Sequence, residues 1–211
     1  MEPRQVFGRL PDDFHRHITV EFCSKCGSRC ETRELHGLPR SICTDCGHIQ
    51  FFNPMPGVAV LVVQADEVLL CQRAVATGFA GRWCLPSDHI EYNEDFLTAG
   101  LRETREETGV DVEIEGVLSV VSNFWSHGAS TFVAVLLAKP IGGAPRPSDE
   151  TTAAAWFKYG KLPNLAWEAD AHIIERYFET REVGAAVDPF YVRFDSTRLP
   201  QEPPPAERSP L

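Results

Sequence analysis

No stretch of the 211-residue chain is apolar for long enough to cross a bilayer as a helix. The longest apolar runs, Val58–Val63 and Phe132–Ala138, have the length of buried strands. Positive charge is scarce as well: 20 Lys and Arg face 30 Asp and Glu, for a formal net charge of −10. That balance speaks against a nucleic-acid partner, because nothing offsets phosphate repulsion over a broad surface. It does not exclude a small phosphate-bearing molecule, provided divalent cations stand between the two negative parties. Residues Met1–Gln5 lead into no apolar h-region and no small-residue cleavage site, so the expectation is a cytoplasmic chain with no membrane partner. No repeat at a solenoid period is visible.

The chain divides by composition. Residues 1–18 are mixed and polar, with Val6, Phe7, Leu10 and Phe14 as candidates for docking. A cysteine-bounded module covers 19–52, a mixed α/β domain 53–185, and a proline-rich tail expected to fray covers 186–211. Asn53-Pro54-Met55-Pro56-Gly57 reads as a hinge, since two prolines and a glycine interrupt helix and ladder alike. Beyond it, Val58–Gln64 and Glu67–Arg73 form a hairpin pattern around Ala65-Asp66, the first strand apolar enough to be buried on both faces. Further strands are expected at Val112–Val121, Ser130–Lys139 and Thr152–Tyr159. Helices are expected at Asp95–Thr108, with Gly109 at its C′ end, and from about Trp167 to Glu179.

Seven cysteines in a reducing compartment point to metal or catalysis more than to disulfides. Cys23-x2-Cys26 and Cys43-x2-Cys46 are sixteen residues apart, the spacing of a four-thiolate structural zinc site. Two residues between thiolates let the backbone turn both sulfurs toward one ion, and Gly27 and Gly47 permit the tight turns that follow. Redox chemistry at one pair explains the doubled motif less well. Cys30 lies off the pattern; Cys71 and Cys84 sit in apolar strand contexts and read as small buried hydrophobes. The cations Lys25, Arg29, Arg33 and Arg40 are matched by Glu21, Glu31, Glu34 and Asp45, so the module reads as a structural clip without a basic patch.

Glu103, Glu106 and Glu107 fall at i, i+3 and i+4 and crowd one helical face, with Glu91 and Glu94 in the loop before it. Oxygen-only ligands in such a cluster suit a hard cation, magnesium or manganese. Taken alone, the three carboxylates read rather as a solvated acidic face, with Arg102 and Glu106 paired at i, i+4.

The full spacing resembles the signature of the Nudix hydrolases, glycine-x5-Glu-x7-Arg-Glu-aliphatic-x-Glu-Glu-x-Gly-aliphatic. Glu94, Arg102, Glu103, Glu106, Glu107, Gly109 and Val110 fill their slots in the box Asp88–Val110. Outside the box, Gly81–Pro86, Glu150–Phe157 and Leu165-Ala166-Trp167 look like neighbouring segments of the same family, so the resemblance covers about residues 57–180. It implies an α/β fold, an α/β/α sandwich around a mixed sheet, here preceded by a small four-cysteine zinc ribbon. It also implies that Glu103, Glu106 and Glu107 hold the metals, that Glu94 and Arg102 pair to hold loop against helix, and that water attacks a phosphorus. The general base stays open among Glu106, Glu107, Glu150, Glu168 and the loop His127. Three positions depart from the family pattern: Asp88 and Asn93 stand at glycine positions, and Thr104 replaces an aliphatic residue. Asp and Asn tolerate the left-handed region, which keeps the loop path open.

A four-cysteine ribbon ahead of such a domain is similar to NADH diphosphatases and to plastid-type FAD or ADP-ribose diphosphatases. The Ser-Gln-Pro-Trp-Pro-Phe-Pro-like run of the NADH group is missing from Ser119–Trp125. The resemblance therefore implies a nucleotide substrate of the ADP-ribose or FAD type, with Phe124 and Trp125 as candidates to stack an adenine. A non-catalytic nucleotide-sugar sensor and a triphosphate pool-cleaning pyrophosphatase are the alternatives, and a homodimer is left open.

Overall fold

The computed structural model describes residues 2, 4–10, 12–14, 18–74, 79–125 and 128–187. In chain order the elements are β1 (Val6–Gly8), β2 (Cys30–Leu35), β3 (Leu38–Cys43), β4 (Ile49–Gln50), β5 (Met55–Gln64), β6 (Glu67–Arg73), β7 (Trp83–Cys84), β8 (Ser87–His89), α1 (Phe96–Thr108), β9 (Val110–Phe124), β10 (Ser130–Gly143), β11 (Thr151–Lys158) and α2 (Glu168–Thr180). The ribbon is a small antiparallel sheet in the order β2-β3-β4. The larger sheet is mixed, in the order β1-β9-β10-β5-β6-β11, with β8 added to β5 and β7 to β6.

Alternation along the central strands splits the core into two layers. Val58, Val60 and Val62 of β5, with Leu136 of β10, face Leu97 and Ala99 of α1. Leu61 of β5 and Val135 and Leu137 of β10 face Ala169, Ile173, Ile174 and Phe178 of α2. A strand with both faces covered has no polar side to show, which is why β5 and β10 read as continuous apolar runs. The sheet between two helices is the α/β/α sandwich that the resemblance implied.

Helix α1 starts where Asp95 Oδ1 accepts from the N–H groups of Leu97 and Thr98, at 2.9 and 3.1 Å, and stops at Gly109, whose φ of 75° is left-handed. Gly100 lies in its middle because the helix presses on the sheet there. A Cβ at Gly100 would stand 2.6 Å from Leu136 Cδ1 and 3.2 Å from Val60 Cγ2. Thr104 is fully buried without penalty, its hydroxyl donating to the Gly100 carbonyl at 2.8 Å.

Three expectations change. The hinge ends at Pro54: Met55, Pro56 and Gly57 belong to β5 and pair in parallel with Thr131, Phe132 and Val133 of β10. Pro56 lacks a donor but its carbonyl accepts from Ile90 N at 3.2 Å, so the strand tolerates it. In the N-terminal segment, Val6–Gly8 adds a parallel strand to β9, and Phe7, one of the docking candidates, is buried in the α2-side core. Neither Asp88 nor Asn93 has a positive φ; Asp88 is an ordinary strand residue paired with Val58. The strands β9 and β10 also run beyond their apolar centres into polar ends. The proline-rich tail from residue 188 onward lies outside the described residues, as does His127.

Candidate functional site

In the ribbon, the two Cys-x2-Cys turns close with Gly27 N donating to the Cys23 carbonyl and Gly47 N to that of Cys43, at 2.9 and 3.2 Å. Both glycines have the left-handed φ that the turn needs, +78° and +69°. The four sulfurs converge: Cys23 and Cys46 are 3.8 Å apart, and Cys26 lies 3.5 Å from both Cys43 and Cys46. These are not disulfide lengths. They match the edge of a tetrahedron about 3.8 Å on a side, as set by Zn–S bonds of about 2.3 Å. Cys30 is outside the converging set.

In the main domain, α1 presents its carboxylates unequally. Glu103 and Glu107 are buried, at 3% and 6% exposure, whereas Glu106 is exposed. Arg102 donates from Nε to Glu94 Oε2 at 3.0 Å and from Nη2 to Oε1 at 2.5 Å, a bidentate pair joining the loop to the helix. Its Nη1 is shared by Glu103 and Glu106, the latter at 3.1 Å. Arg102 holds the Glu94 carboxyl below the usual carboxylate range. Glu107 Oε2 accepts from Ser87 N at 2.8 Å, and the Cys71 thiol lies 3.6 Å from the same oxygen.

Burial raises Glu103 to about 7 and Glu107 to about 8, and the Asp88 carboxylate adds to both shifts. Buried carboxylates crowded by a third, with oxygen as their only donor, fit a hard divalent cation. Among the described residues the four cysteines are the one group of three or more whose ligand atoms all lie within 4.8 Å of one another. The carboxylates of Glu103 and Glu106 instead meet on Arg102.

Two cavities lie near this site, and one borders the helix end. One, of about 350 Å³, is lined by Glu107, Asp88, Ser87, Arg73, Asp149 and Glu150. The other, of about 180 Å³, lies on the α2 side of the sheet and is walled by Trp125, Trp167, Asn123, Thr131 and Asp170. Arg73, Ser87 and Asp88 line both. The Arg73 guanidinium stands 5.0 Å over the Trp167 ring.

Of the candidates for a base, Glu150 reaches the Glu107 cavity. Glu168 does not: it pairs with Arg4 and borders a different recess with Phe124. Phe124 and Trp125 share that recess, but only Trp125 also lines the 180 Å³ cavity. Sequence reasoning missed Arg73, Asp149 and Asp170. Arg73, a cation ending an apolar strand, was the one readable signal. Asp170 stands in the first turn of α2, where burial raises its carboxyl to about 7 while Leu85 N donates to it at 3.1 Å.

Residues 53–177 match the family model described as the NUDIX domain. The chain is similar to the human 8-oxo-dGDP phosphatase NUDT18, 35% identical over 130 residues, covering 59% of this chain and 39% of that protein. It is similar to the NAD-capped RNA hydrolase NudC of Pseudomonas aeruginosa, 29% identical over 167 residues, covering 78% and 58%. The match thus spans less than two thirds of either curated relative. Among solved structures it resembles a NUDIX hydrolase from Nitrosomonas europaea, with a TM-score of 0.69 and 29% identity over 80% of this chain and 97% of that one.

Proposed function

The chain belongs to the Nudix hydrolase family, and from that premise we propose that it hydrolyses the diphosphate bridge of a nucleotide-linked compound, releasing a nucleoside monophosphate. The observation that carries the reading is the junction of the two cavities at Arg73, Ser87 and Asp88. A nucleoside fits the aromatic cavity, and its diphosphate then crosses Arg73 to reach the carboxylates of α1. Arg73 neutralises phosphate charge on that path, and the Asp88 carboxylate beside it favours an approach accompanied by cations.

Glu103, Glu106 and Glu107 are the residues that would hold magnesium or manganese, which supplies Lewis acidity toward a phosphoryl oxygen and toward water. The chain's own contribution is placement. Ser87 N fixes one oxygen of Glu107, Arg102 ties Glu94 to the helix, and burial excludes bulk water from Glu103. Glu150, at the rim of the same cavity, is the loop carboxylate best placed to take the proton of an attacking water. The four-thiol cluster holds structural zinc.

ADP-ribose is the first expected substrate, with FAD and NADH next. A 29%-identical relative that hydrolyses NAD-capped RNA supports a bridge between two nucleotide halves. The 35% identity to an 8-oxo-dGDP phosphatase favours a second reading, cleavage of a simple nucleoside diphosphate. Chromatography of the products from ADP-ribose, FAD, NADH, 8-oxo-dGDP, ATP and dGTP, each with magnesium, separates these. AMP from the first three supports the bridge reading. Cleavage confined to triphosphates, giving monophosphate and pyrophosphate, overturns it. No cleavage of any compound, with a melting temperature still raised by ADP-ribose, points to a sensor.

A further inference from the structure

Two thiols that the proposed hydrolysis does not use meet behind the carboxylates of α1. Cys71 of β6 and Cys84 of β7 stand directly opposite each other in an antiparallel pair, and both are buried. Their sulfurs are 3.6 Å apart, and both are free thiols. Opposed residues of such a pair have Cα atoms about 4.5–5.5 Å apart, inside the disulfide range of about 4.4–6.8 Å. The strands therefore need not separate for the sulfurs to close to a bond of about 2.05 Å. In the ribbon similar separations join four sulfurs around one point; here only two meet, too few for a structural zinc site.

The pair is neither sealed off nor isolated. Cys84 lines the cavity of about 350 Å³ bordered by Glu107, Asp149 and Glu150, so a small oxidant entering there meets its sulfur. Cys71 is outside that lining, and its thiol stands 3.6 Å from Glu107 Oε2, the oxygen that Ser87 N holds at 2.8 Å. Leu85 and Pro86 alone separate Cys84 from Ser87. A covalent bond at Cys84 thus acts on the short segment that orients Glu107.

We propose that Cys71 and Cys84 are a site of reversible oxidation, forming a disulfide under peroxide that switches the Glu107 site off. The Cys84 sulfur attacks one peroxide oxygen: an S–O bond forms, the O–O bond breaks, and the departing oxygen leaves as water with the thiol proton. The Cys71 sulfur then attacks Cys84 Sγ. The S–S bond forms, the S–O bond breaks, and the Cys71 proton leaves with the hydroxyl as a second water. Two thiols lose two electrons in all and one peroxide gains them. A dithiol reductant reverses the change by exchange. In the disulfide Cys71 has no S–H left to offer Glu107, and its sulfur turns toward β7. Partners of this kind behind a metal-holding carboxylate are worth about 10–100-fold in metal affinity or activity. The bond itself stands apart from the hydrolysis reading, whereas its effect on turnover rests on it.

The test treats the full chain with hydrogen peroxide, alkylates the remaining thiols and maps the peptides by mass spectrometry. Trypsin cuts after Arg73 and Arg82, so the two cysteines leave on separate peptides unless a disulfide joins them. The linked pair should appear on oxidation while magnesium-dependent turnover falls by about tenfold or more. Dithiothreitol should remove the link and restore the rate. Cys84→Ala keeps the ribbon but cannot form the bond, so its rate should be the same before and after peroxide, whatever that rate is. Recovery of Cys71 and Cys84 as two alkylated thiols overturns the proposal without any variant. So does a linked pair with undiminished turnover, or a Cys84→Ala protein that loses as much activity as the wild type. Absence of turnover in the reduced protein sinks the hydrolysis reading instead. The switch is then read from the linked peptide and from the magnesium-induced rise in melting temperature, which oxidation should shrink; an unchanged rise overturns it.

Discussion

The backbone N–H of Ser87 donates to Oε2 of Glu107 at 2.8 Å, joining the short strand β8 to the last turn of α1. Through that bond the loop strand sets the direction of the one carboxylate that both is buried and borders the larger cavity. Glu107→Gln keeps an acceptor for Ser87 N while removing the charge. It should cut magnesium-dependent turnover by on the order of 10²-fold or more, with little loss of stability. Glu106→Gln, on the exposed side, should do the same. Steady-state rates at saturating magnesium check both. Wild-type-like rates in the two variants would mean that the acidic face of α1 is a solvated surface.

Metal affinity should rise with pH. Burial lifts Glu103 to about 7 and Glu107 to about 8, so protons compete with magnesium below these values. The sign for stability follows from the same shifts. A carboxyl whose folded pKa is raised favours the fold when protonated, so the metal-free protein should lose stability as pH climbs from about 5 to above 8. Magnesium should reverse part of that loss. Melting temperatures at pH 6 and pH 8.5, with and without magnesium, give the comparison. A magnesium effect as large at pH 6 as at pH 8.5 contradicts the assignment.

Asp88→Gly should leave activity unchanged or raise it. The change removes a carboxylate that adds to the raised pKa of both Glu103 and Glu107, and restores the family residue at a backbone position that needs no special φ. A loss beyond about tenfold, roughly 1.4 kcal/mol of barrier, would instead make Asp88 a ligand or base.

Protein washed with EDTA should retain one zinc per chain, since the sulfurs of Cys23, Cys26, Cys43 and Cys46 already stand at tetrahedral separations. Elemental analysis measures this. Less than about a tenth of an equivalent in protein that remains folded would remove zinc from the ribbon.

Gly100→Ala should destabilise the fold even though alanine is the better helix former by about 1 kcal/mol. The added methyl meets Leu136 Cδ1 at 2.6 Å, and overpacking of this kind costs about 1–3 kcal/mol. Urea unfolding reads the difference, and an unchanged midpoint would show that the helix has room to shift.

Much of this protein is written in short-range spacing. The pairs of cysteines with their glycines needed only local turns to converge. The caps of α1, Asp95 and Gly109, and the stacking of its glutamates on one side follow from the 3.6-residue period. The apolar runs of β5 and β10 announced strands covered on both faces. None of these depends on which distant segment lies alongside.

Burial and convergence do depend on it, and there the linear pattern fell silent. Glu103 and Glu107 are buried while Glu106, the residue before Glu107, is not, because β8 and β5 pack on one side of the helix alone. Pro56 continues a strand because β10 and Ile90 bond the groups it still has. Asp170 became part of a cavity only when Leu85, 85 residues earlier, placed its N–H against the carboxyl. A sequence specifies directions along one element; which side of that element loses its water is decided by the elements that fold across it.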